Sequence, residues 1–129
     1  GAVLPSDRYA ADALNAVDEL VAVADAWDGE RRAAGLAPIE IGMAVASGRI
    51  VFGAVGDETR LEYTVIGEAV NLSAKLEKHN RVAGTRALAT AAVYEHAKAQ
   101  GSALAAPSNR SLMTIEGVAD PVDVVVLAR

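Results

Sequence analysis

The strongest constraint on the fold lies in residues 39–80, where three β-type segments run directly into a helix-type segment. Residues 39–45 alternate large apolar side chains with other residues at a period of two, which predicts a half-buried strand. Ser47-Gly48 is a turn signal, and an apolar run rich in β-branched residues resumes over residues 49–55. These two segments are therefore predicted to pair as a hairpin.

A second turn signal, Gly56-Asp57, separates this pair from a third predicted strand over residues 61–66. Gly67 then releases the chain into a predicted helix over residues 68–79. The rest of the chain is expected to pack around this unit, with Tyr63 as one of its core residues.

The flanking segments supply further helices and strands. A helical pattern over residues 8–27, capped by Ser6 or Asp7, precedes the central unit and is predicted to direct Trp27 into the core or a groove. A short strand over residues 85–89 and a helix over residues 91–100, capped by Thr90, follow it. Residues 112–115 and 122–127 read as a closing hairpin.

The predicted order is α, ββ, β, α, β, α, ββ. Helices interspersed with hairpins favour an α+β fold with an antiparallel or mixed sheet covered on one side by helices. At 129 residues, one compact domain over residues 1–129 is the expected organisation. Residues 1–4 resemble the end of a strand that begins further upstream.

Composition excludes several classes of function. With no cysteine, the chain has neither disulfides nor thiolate metal sites, which fits a cytoplasmic setting. A net charge of −5 argues against a nucleic-acid-binding surface, because neutralising phosphates requires clustered lysine and arginine. No stretch reaches the roughly 18 uninterrupted apolar residues of a membrane helix, so no membrane contact is expected from this segment.

The predicted helix after Gly67 carries the most suggestive polar side chains. Asn71, Lys75 and Lys78 lie at i, i+4 and i+7 and share one face. An amide and an ammonium one turn apart suit a ribose and a phosphate, since both offer hydrogen-bond donors to oxygen. A solvated helix face is the competing interpretation, and the spacing taken alone favours it.

The sequence evidence for a metal site or a catalytic triad is weaker than that for the polar face of the helix. Four acidic residues are candidate metal ligands by residue type alone: Asp57, Glu58, Glu62 and Glu68. His79 and His96 lack metal-ligand spacing, and no catalytic triad is supported. The physical interpretation of the residues thus ends at an α+β domain with an anion-facing helix as one possibility.

Three runs of the sequence resemble the class III adenylate/guanylate cyclase catalytic domain, in the family's order. They are GDETRLEYTVIGEAVNLSAKLE (56–77), IGMAVASGRIVFG (41–53) and the closing IEGVADPV (115–122). The resemblance covers nearly the whole chain and corresponds to the C-terminal two-thirds of that domain. It implies a ferredoxin-like (βαββαβ-type) fold with a mixed or antiparallel sheet covered by helices.

The resemblance also implies an activity. Members of the family convert ATP or GTP to a cyclic nucleotide and pyrophosphate, with Mg or Mn, at sites formed between two catalytic domains. Carried over by position, Asn71 matches the residue that orients the ribose, and Thr64 matches a base-recognising position where a hydroxyl suits the adenine amino group. Lys75 falls where the family usually has an arginine that stabilises the transition state.

Two departures from the family pattern keep alternatives open. Lysine at position 75 keeps the charge but loses the planar bidentate fork of arginine. The family's metal-binding aspartates would lie upstream of Gly1, so the N-terminal part of the catalytic domain is not in this sequence, and the chain is expected to be inactive by itself.

The parent protein is therefore expected to be a homodimeric cyclase that makes cyclic AMP, with GTP as the second choice of substrate. Whether the longer protein is tethered to a membrane or a sensor domain is a question that the sequence leaves open. The alternative is a catalytically silent cyclase-homology module for dimerisation or nucleotide sensing. A third interpretation is a ferredoxin-like domain whose similarity reflects fold alone.

Overall fold

The computed structural model describes residues 5–57, 59–104 and 109–129. The predicted strand end at residues 1–4, and Glu58, lie outside these residues. The elements are α1 (Tyr9–Ala33), β1 (Met43–Val45), β2 (Val51–Gly56), β3 (Leu61–Ile66), α2 (Glu68–Ala83), β4 (Ala87–Thr90), α3 (Ala91–Ala99), β5 (Arg110–Met113) and β6 (Val122–Ala128). Their order is the predicted one, and the fold class is confirmed.

Four strands form one mixed sheet in the order β1-β4-β6-β5. Strand β1 runs parallel to β4, whereas β6 is antiparallel to both β4 and β5. The predicted closing hairpin is therefore confirmed as β5–β6, with its first strand beginning two residues earlier, at Arg110. None of the helices in the described residues is both long and apolar enough to cross a membrane.

The expectation that helices cover only one side of this sheet is wrong. Ala89 of β4 and Val125 of β6 pack with α1 and α3, whereas their neighbours Leu88 and Val124 pack with Leu76 of α2. Successive residues of a strand point to opposite faces, so both faces are covered. This explains the uninterrupted apolar runs of the central strands, which are typical of strands buried on both sides.

The predicted hairpin between residues 39–45 and 49–55 is also wrong. Strand β2 pairs instead with β3 over its full length, from Val51 opposite Ile66 to Gly56 opposite Leu61. The deciding turn is at Gly56, where φ is +147° and a Cβ atom would lie 1.8 Å from the Arg60 carbonyl oxygen. Only glycine fits there, so the chain reverses after β2 and not before it.

Strand β1 is shorter than predicted because its partner is β4, which is four residues long and fully buried. A buried side chain fastens β1 to α2: the Asn80 amide donates to the Met43 carbonyl at 2.9 Å. The Thr85 hydroxyl donates to the other end of the same amide, also at 2.9 Å. Asn80 therefore holds the C-terminal end of α2 against the sheet.

Helix α1 begins one residue later than predicted and without the predicted cap. Arg8 is the N-cap residue and its side chain forms no capping hydrogen bond, whereas its own N–H donates to the Ser6 hydroxyl oxygen at 3.0 Å. The first free N–H groups instead donate to the Gln100 side chain, from Ala10 at 2.9 Å and from Ala11 at 3.0 Å. The Thr90 cap of α3 is confirmed, since its hydroxyl accepts from the Val93 N–H.

Large apolar residues outside the sheet are less buried than predicted. Tyr63 is 74% exposed and Trp27 50% exposed, so neither is a core residue. Tyr63 lies on the β2–β3 hairpin, which forms its own two-stranded sheet and does not join the larger one. Its ring meets Phe52 edge-on at 5.2 Å, a cross-strand contact within the hairpin itself.

Candidate functional site

The candidate site centres on helix α2 and the strand that precedes it. Strand β3 ends at Ile66, and α2 begins two residues later at Glu68. Gly67 makes this short connection possible, because a Cβ atom there would lie 2.7 Å from the Arg49 carbonyl oxygen. The first turn of α2 is thereby held next to the hairpin.

The amphipathic character predicted for α2 is present. Leu76 is buried against the sheet with Leu72 beside it, whereas Asn71 is exposed on another face. Within the described part of the chain, no hydrogen bond to the Asn71 side chain is found. Its amide is therefore free to contact a ligand.

Lys75, one turn beyond Asn71, is half-buried and already has a contact. Its ammonium group donates to the carbonyl oxygen of Gly117, in the turn between β5 and β6. That turn is closed by a 3.0 Å bond from the Val118 N–H to the Ile115 carbonyl, and Gly117 has a φ of +74°. Ile115 is buried in the core below, so the turn is firmly placed beside α2.

Gly117 is the residue at this site that the sequence interpretation did not single out. In the sequence it stands within the closing run IEGVADPV (115–122). The signal that could have identified it is a glycine between two apolar strands, which indicates a left-handed turn position. Which side chain the turn would meet depends on tertiary packing.

Thr64, the predicted base-recognising residue, lies in the middle of β3 and is half-buried. It stands opposite Gly53 of β2, where no atom lies within 4 Å of an added Cβ. The missing side chain leaves open space beside the Thr64 hydroxyl. Asn71 and Lys75 lie together on α2, whereas Thr64 lies on β3. No hydrogen bond in the described residues joins Thr64 to either of them.

Among the described residues, the acidic candidates Asp57, Glu62 and Glu68 do not form a metal site. No group of three or more histidine, cysteine or acidic side chains suited to a metal ion occurs among the described residues. The Asp57 carboxylate accepts hydrogen bonds from the Thr59 hydroxyl and from the Thr59 and Arg60 N–H groups. These bonds hold the pKa of Asp57 below its ordinary value of 3.8. Glu62 forms an ion pair with Arg60 at 2.6 Å.

A groove of about 720 Å³ lies at the other end of α2, between its last turns and the segment before β1. Charged side chains of both signs line it: Glu40, Glu77, Lys78, Arg81 and Arg86. Lys78 thus belongs to the groove, although it shares a helix face with Asn71. No sequence pattern pointed to this groove, because its walls come from segments far apart in the chain.

The comparisons with known proteins concern the family and the fold of the chain. No protein-family model matches the sequence. The curated protein "Adenylate cyclase 1" of Rhizobium meliloti (strain 1021) is 36% identical over 74 residues, which is 57% of this chain. The chain spans only 11% of the length of that relative.

Two solved structures share the fold. The guanylyl cyclase Cya2 superposes with a TM-score of 0.77 at 24% identity, over 98% of this chain and 61% of that chain. The adenylyl cyclase CyaB from P. aeruginosa superposes with a TM-score of 0.64 at 26% identity, over 92% of this chain and 60% of that chain. Sequence and fold together confirm that this chain resembles the class III adenylate/guanylate cyclase catalytic domain.

Proposed function

We propose that this chain supplies the nucleotide-binding part of a nucleotidyl cyclase that converts ATP, with GTP as the second choice, to a cyclic nucleotide and pyrophosphate for intracellular signalling. The observation that carries the proposal is the pair on α2: an Asn71 amide that has no hydrogen-bond partner among the described residues, one helical turn from the Lys75 ammonium. Both stand directly after the strand that bears Thr64. Homology to named adenylate cyclases supports the reaction class.

In this reaction the ribose 3′-oxygen bonds to the α-phosphorus, the bond from that phosphorus to the β-phosphate oxygen breaks, and the hydroxyl proton is lost. The donors of Asn71 would hold the ribose so that its 3′-oxygen faces the phosphorus, which lowers the entropic part of the barrier. Negative charge grows on the phosphate oxygens, and the cation of Lys75 would stabilise it.

The contact with Gly117 is compatible with this role. An ammonium group has three N–H donors, and the Gly117 carbonyl occupies one of them. The remaining donors are available to phosphate oxygens. The turn would then orient Lys75 from one side while the substrate binds from the other.

Thr64 is proposed to recognise the base. Its hydroxyl accepts a hydrogen bond from the adenine amino group, and the absent side chain at Gly53 leaves room for a ring beside it. A hydroxyl is both donor and acceptor, which is why GTP is kept as the second choice.

Mg or Mn is the proposed cofactor of the parent protein, as is usual for phosphoryl chemistry. The described residues do not fit such an ion, since Asp57 and Glu62 are occupied by hydrogen bonds and an ion pair. We propose that its ligands belong to the part of the catalytic domain that the resemblance implies upstream of Gly1. No step is therefore assigned to the metal here, and the chain by itself is proposed to be inactive.

The working unit is proposed to be a homodimer. The β2–β3 hairpin supports this, because apolar side chains on it are solvent-exposed, among them Val51 at 68% and Leu61 at 68%. A two-stranded hairpin is at best marginally stable in water, so burial against a second copy would stabilise it.

A catalytically silent cyclase-homology module is the second candidate. The observation that favours it is Lys75: it replaces the arginine expected from the resemblance, and its ammonium contacts the protein's own turn. A module of this kind would dimerise or bind nucleotide without turning it over.

Calorimetric titration of the chain with ATP and with GTP tests the binding site. Asn71→Ala is expected to weaken binding about tenfold, as for the loss of one or two hydrogen bonds to the uncharged ribose. Asn15→Ala, which alters an exposed asparagine on α1, is the matched control and should bind as the unaltered chain does. Equal affinities of the two variants would reject the assignment of Asn71.

Turnover by the longer parent protein separates the two candidates. If it is a cyclase, Lys75→Ala should lower kcat more than it raises KM, because the contact strengthens in the transition state. If no cyclic nucleotide forms from either substrate with Mg or with Mn, the silent module is the correct interpretation.

A further inference from the structure

Helix α1 carries an exposed apolar stripe that the candidate site does not use. Four large side chains lie along it: Tyr9, Leu20, Val23 and Trp27 are 49%, 54%, 64% and 50% exposed. From Tyr9 to Trp27 the stripe extends about 27 Å along the helix axis. Contiguous apolar surface of this kind marks interaction sites more often than isolated exposed residues do.

The spacing of the stripe indicates what kind of partner fits it. Its positions alternate in steps of four and three residues: Tyr9, Ala13, Ala16, Leu20, Val23 and Trp27. This is a 3.5-residue repeat, the a and d seam of a coiled coil, and Glu30 ends it. The repeat therefore favours another α-helix lying along α1.

Apart from Tyr9, whose hydroxyl lies 3.1 Å from the Nδ1 atom of His96 on α3, the stripe is separate from the face that α1 uses in its own domain. Leu14 and Val17 are buried against the sheet and α3, and Ala24 is also buried, on a face of the helix that lies next to the stripe. Two acidic residues of that side already have cationic partners, since Asp25 pairs with Arg86 at 2.7 Å and Asp28 with Arg32 at 2.6 Å. The inward face is thus complete.

One edge of the stripe is acidic. Asp12 and Glu19 occupy successive g positions, next to the seam, and both are exposed. Neither has an ion pair within the described residues, and Asp12 has only a hydrogen bond from the Ser6 hydroxyl. At the other edge, Arg31 is already engaged, because it donates to the Ala37 carbonyl and its guanidinium lies 5.7 Å from the Trp27 ring centre.

We propose that this stripe is a docking surface for an amphipathic helix of another protein, apolar along its own seam and with a row of lysine or arginine facing Asp12 and Glu19. Charge argues against a second copy of α1. An antiparallel pair would bring the two acidic g rows together, and a parallel pair needs the e row, where Val17 is buried in the domain's own core.

The chain has a built-in reporter for this surface. Trp27 is its only tryptophan, so emission from the whole protein reports on the stripe. The probe is a peptide of about three heptads with leucine at a and d and lysine at e and g, and its acidic counterpart carries glutamate at e and g. Like charges at e and g keep each peptide from pairing with itself.

Adding the basic peptide is expected to shift the Trp27 emission to shorter wavelength, and the acidic peptide is expected to leave it unchanged. Replacing both flanking acids, Asp12→Lys with Glu19→Lys, should weaken binding of the basic peptide roughly tenfold, and these exposed substitutions leave the core intact. Leu20→Glu should abolish binding. Val82→Glu, at an 80% exposed apolar position on α2, is the control and should bind normally.

Three results would overturn the proposal. Equal binding of the basic and acidic peptides, or none by either, would show that the acidic row selects nothing. A shift that grows with protein concentration in the absence of peptide would identify a second copy as the occupant. Equal binding to zwitterionic lipid vesicles would show a general apolar surface. Circular dichroism of each variant verifies that α1 is retained.

Discussion

The two sheets of this molecule have similar amino-acid composition and opposite environments. In the larger sheet, β4 and the centre of β6 are buried, with Leu88 and Val124 fully inaccessible. In the β2–β3 hairpin, Val51, Leu61 and Tyr63 are each more than two-thirds exposed. Burial of apolar side chains therefore stabilises mainly the sheet that helices cover, and the most exposed residues of the hairpin gain little from burial within a single copy.

The largest expected effect on stability comes from truncating a buried side chain of the larger sheet, which helices cover. Leu88→Ala should lower the free energy of unfolding by about 2–5 kcal/mol, through lost burial and the cavity left between β4 and α2. Urea denaturation measures this. A loss below about 1 kcal/mol would mean that this side of the sheet is not tightly packed.

The next effect tests how α2 is fastened to that sheet. Asn80→Ala removes the bonds to Met43 and Thr85 and leaves buried polar groups unpaired, at an expected cost of about 1–3 kcal/mol. Asn71→Ala, on the exposed face of the same helix, is the matched comparison and should change stability by less than about 0.5 kcal/mol. Equal losses would contradict the contrast between the two asparagines.

The hairpin should behave in the opposite way. Tyr63→Ser is expected to change the free energy of unfolding of the monomer by no more than about 0.5 kcal/mol, because the side chain is 74% exposed. If the hairpin joins two copies, the same substitution should weaken self-association, which sedimentation velocity measures over a range of protein concentrations. Unchanged self-association would exclude Tyr63 from the dimer contact.

The smallest effect concerns the tip of the hairpin. Hydrogen bonds from Thr59 and Arg60 lower the pKa of Asp57 below 3.8, so its stabilising contribution is present above that pH and is lost as the pH falls through the lower, folded-state pKa. The exchange rate of the Thr59 N–H, divided by its intrinsic rate at each pH, should therefore rise in acid before the central sheet unfolds. Asp57→Asn should remove this pH dependence, and an unchanged profile would show that another group causes it.

Pairing was harder to predict than the elements themselves. The period-two alternation in residues 39–45 indicated a strand correctly, but its partner is β4, some forty residues along the chain. The choice depended on two local facts of packing: the backbone contact that only Gly56 permits, and the buried Asn80 amide that holds β1 to α2. The alternation of apolar and other residues gives no information about either contact.

The candidate site divides in the same way. Spacing alone placed Asn71 and Lys75 on one helix face, and the resemblance supplied the roles proposed for them. That Lys75 also contacts Gly117, forty-two residues later, follows only from the way the β5–β6 turn packs beside α2. The cap of α1 is a similar case, since its first N–H groups donate to Gln100 and not to the neighbouring serine or aspartate.

By itself, the sequence determined the order of helices and strands, the fold class and the position of Asn71 and Lys75 one turn apart on α2, because periodicity and turn residues act over a few neighbouring positions. The tertiary structure alone decided which strands pair, that helices cover both faces of the sheet, and which apolar segments stay exposed. Those outcomes depend on competition among distant surfaces for burial, and local residue patterns do not record which surface wins.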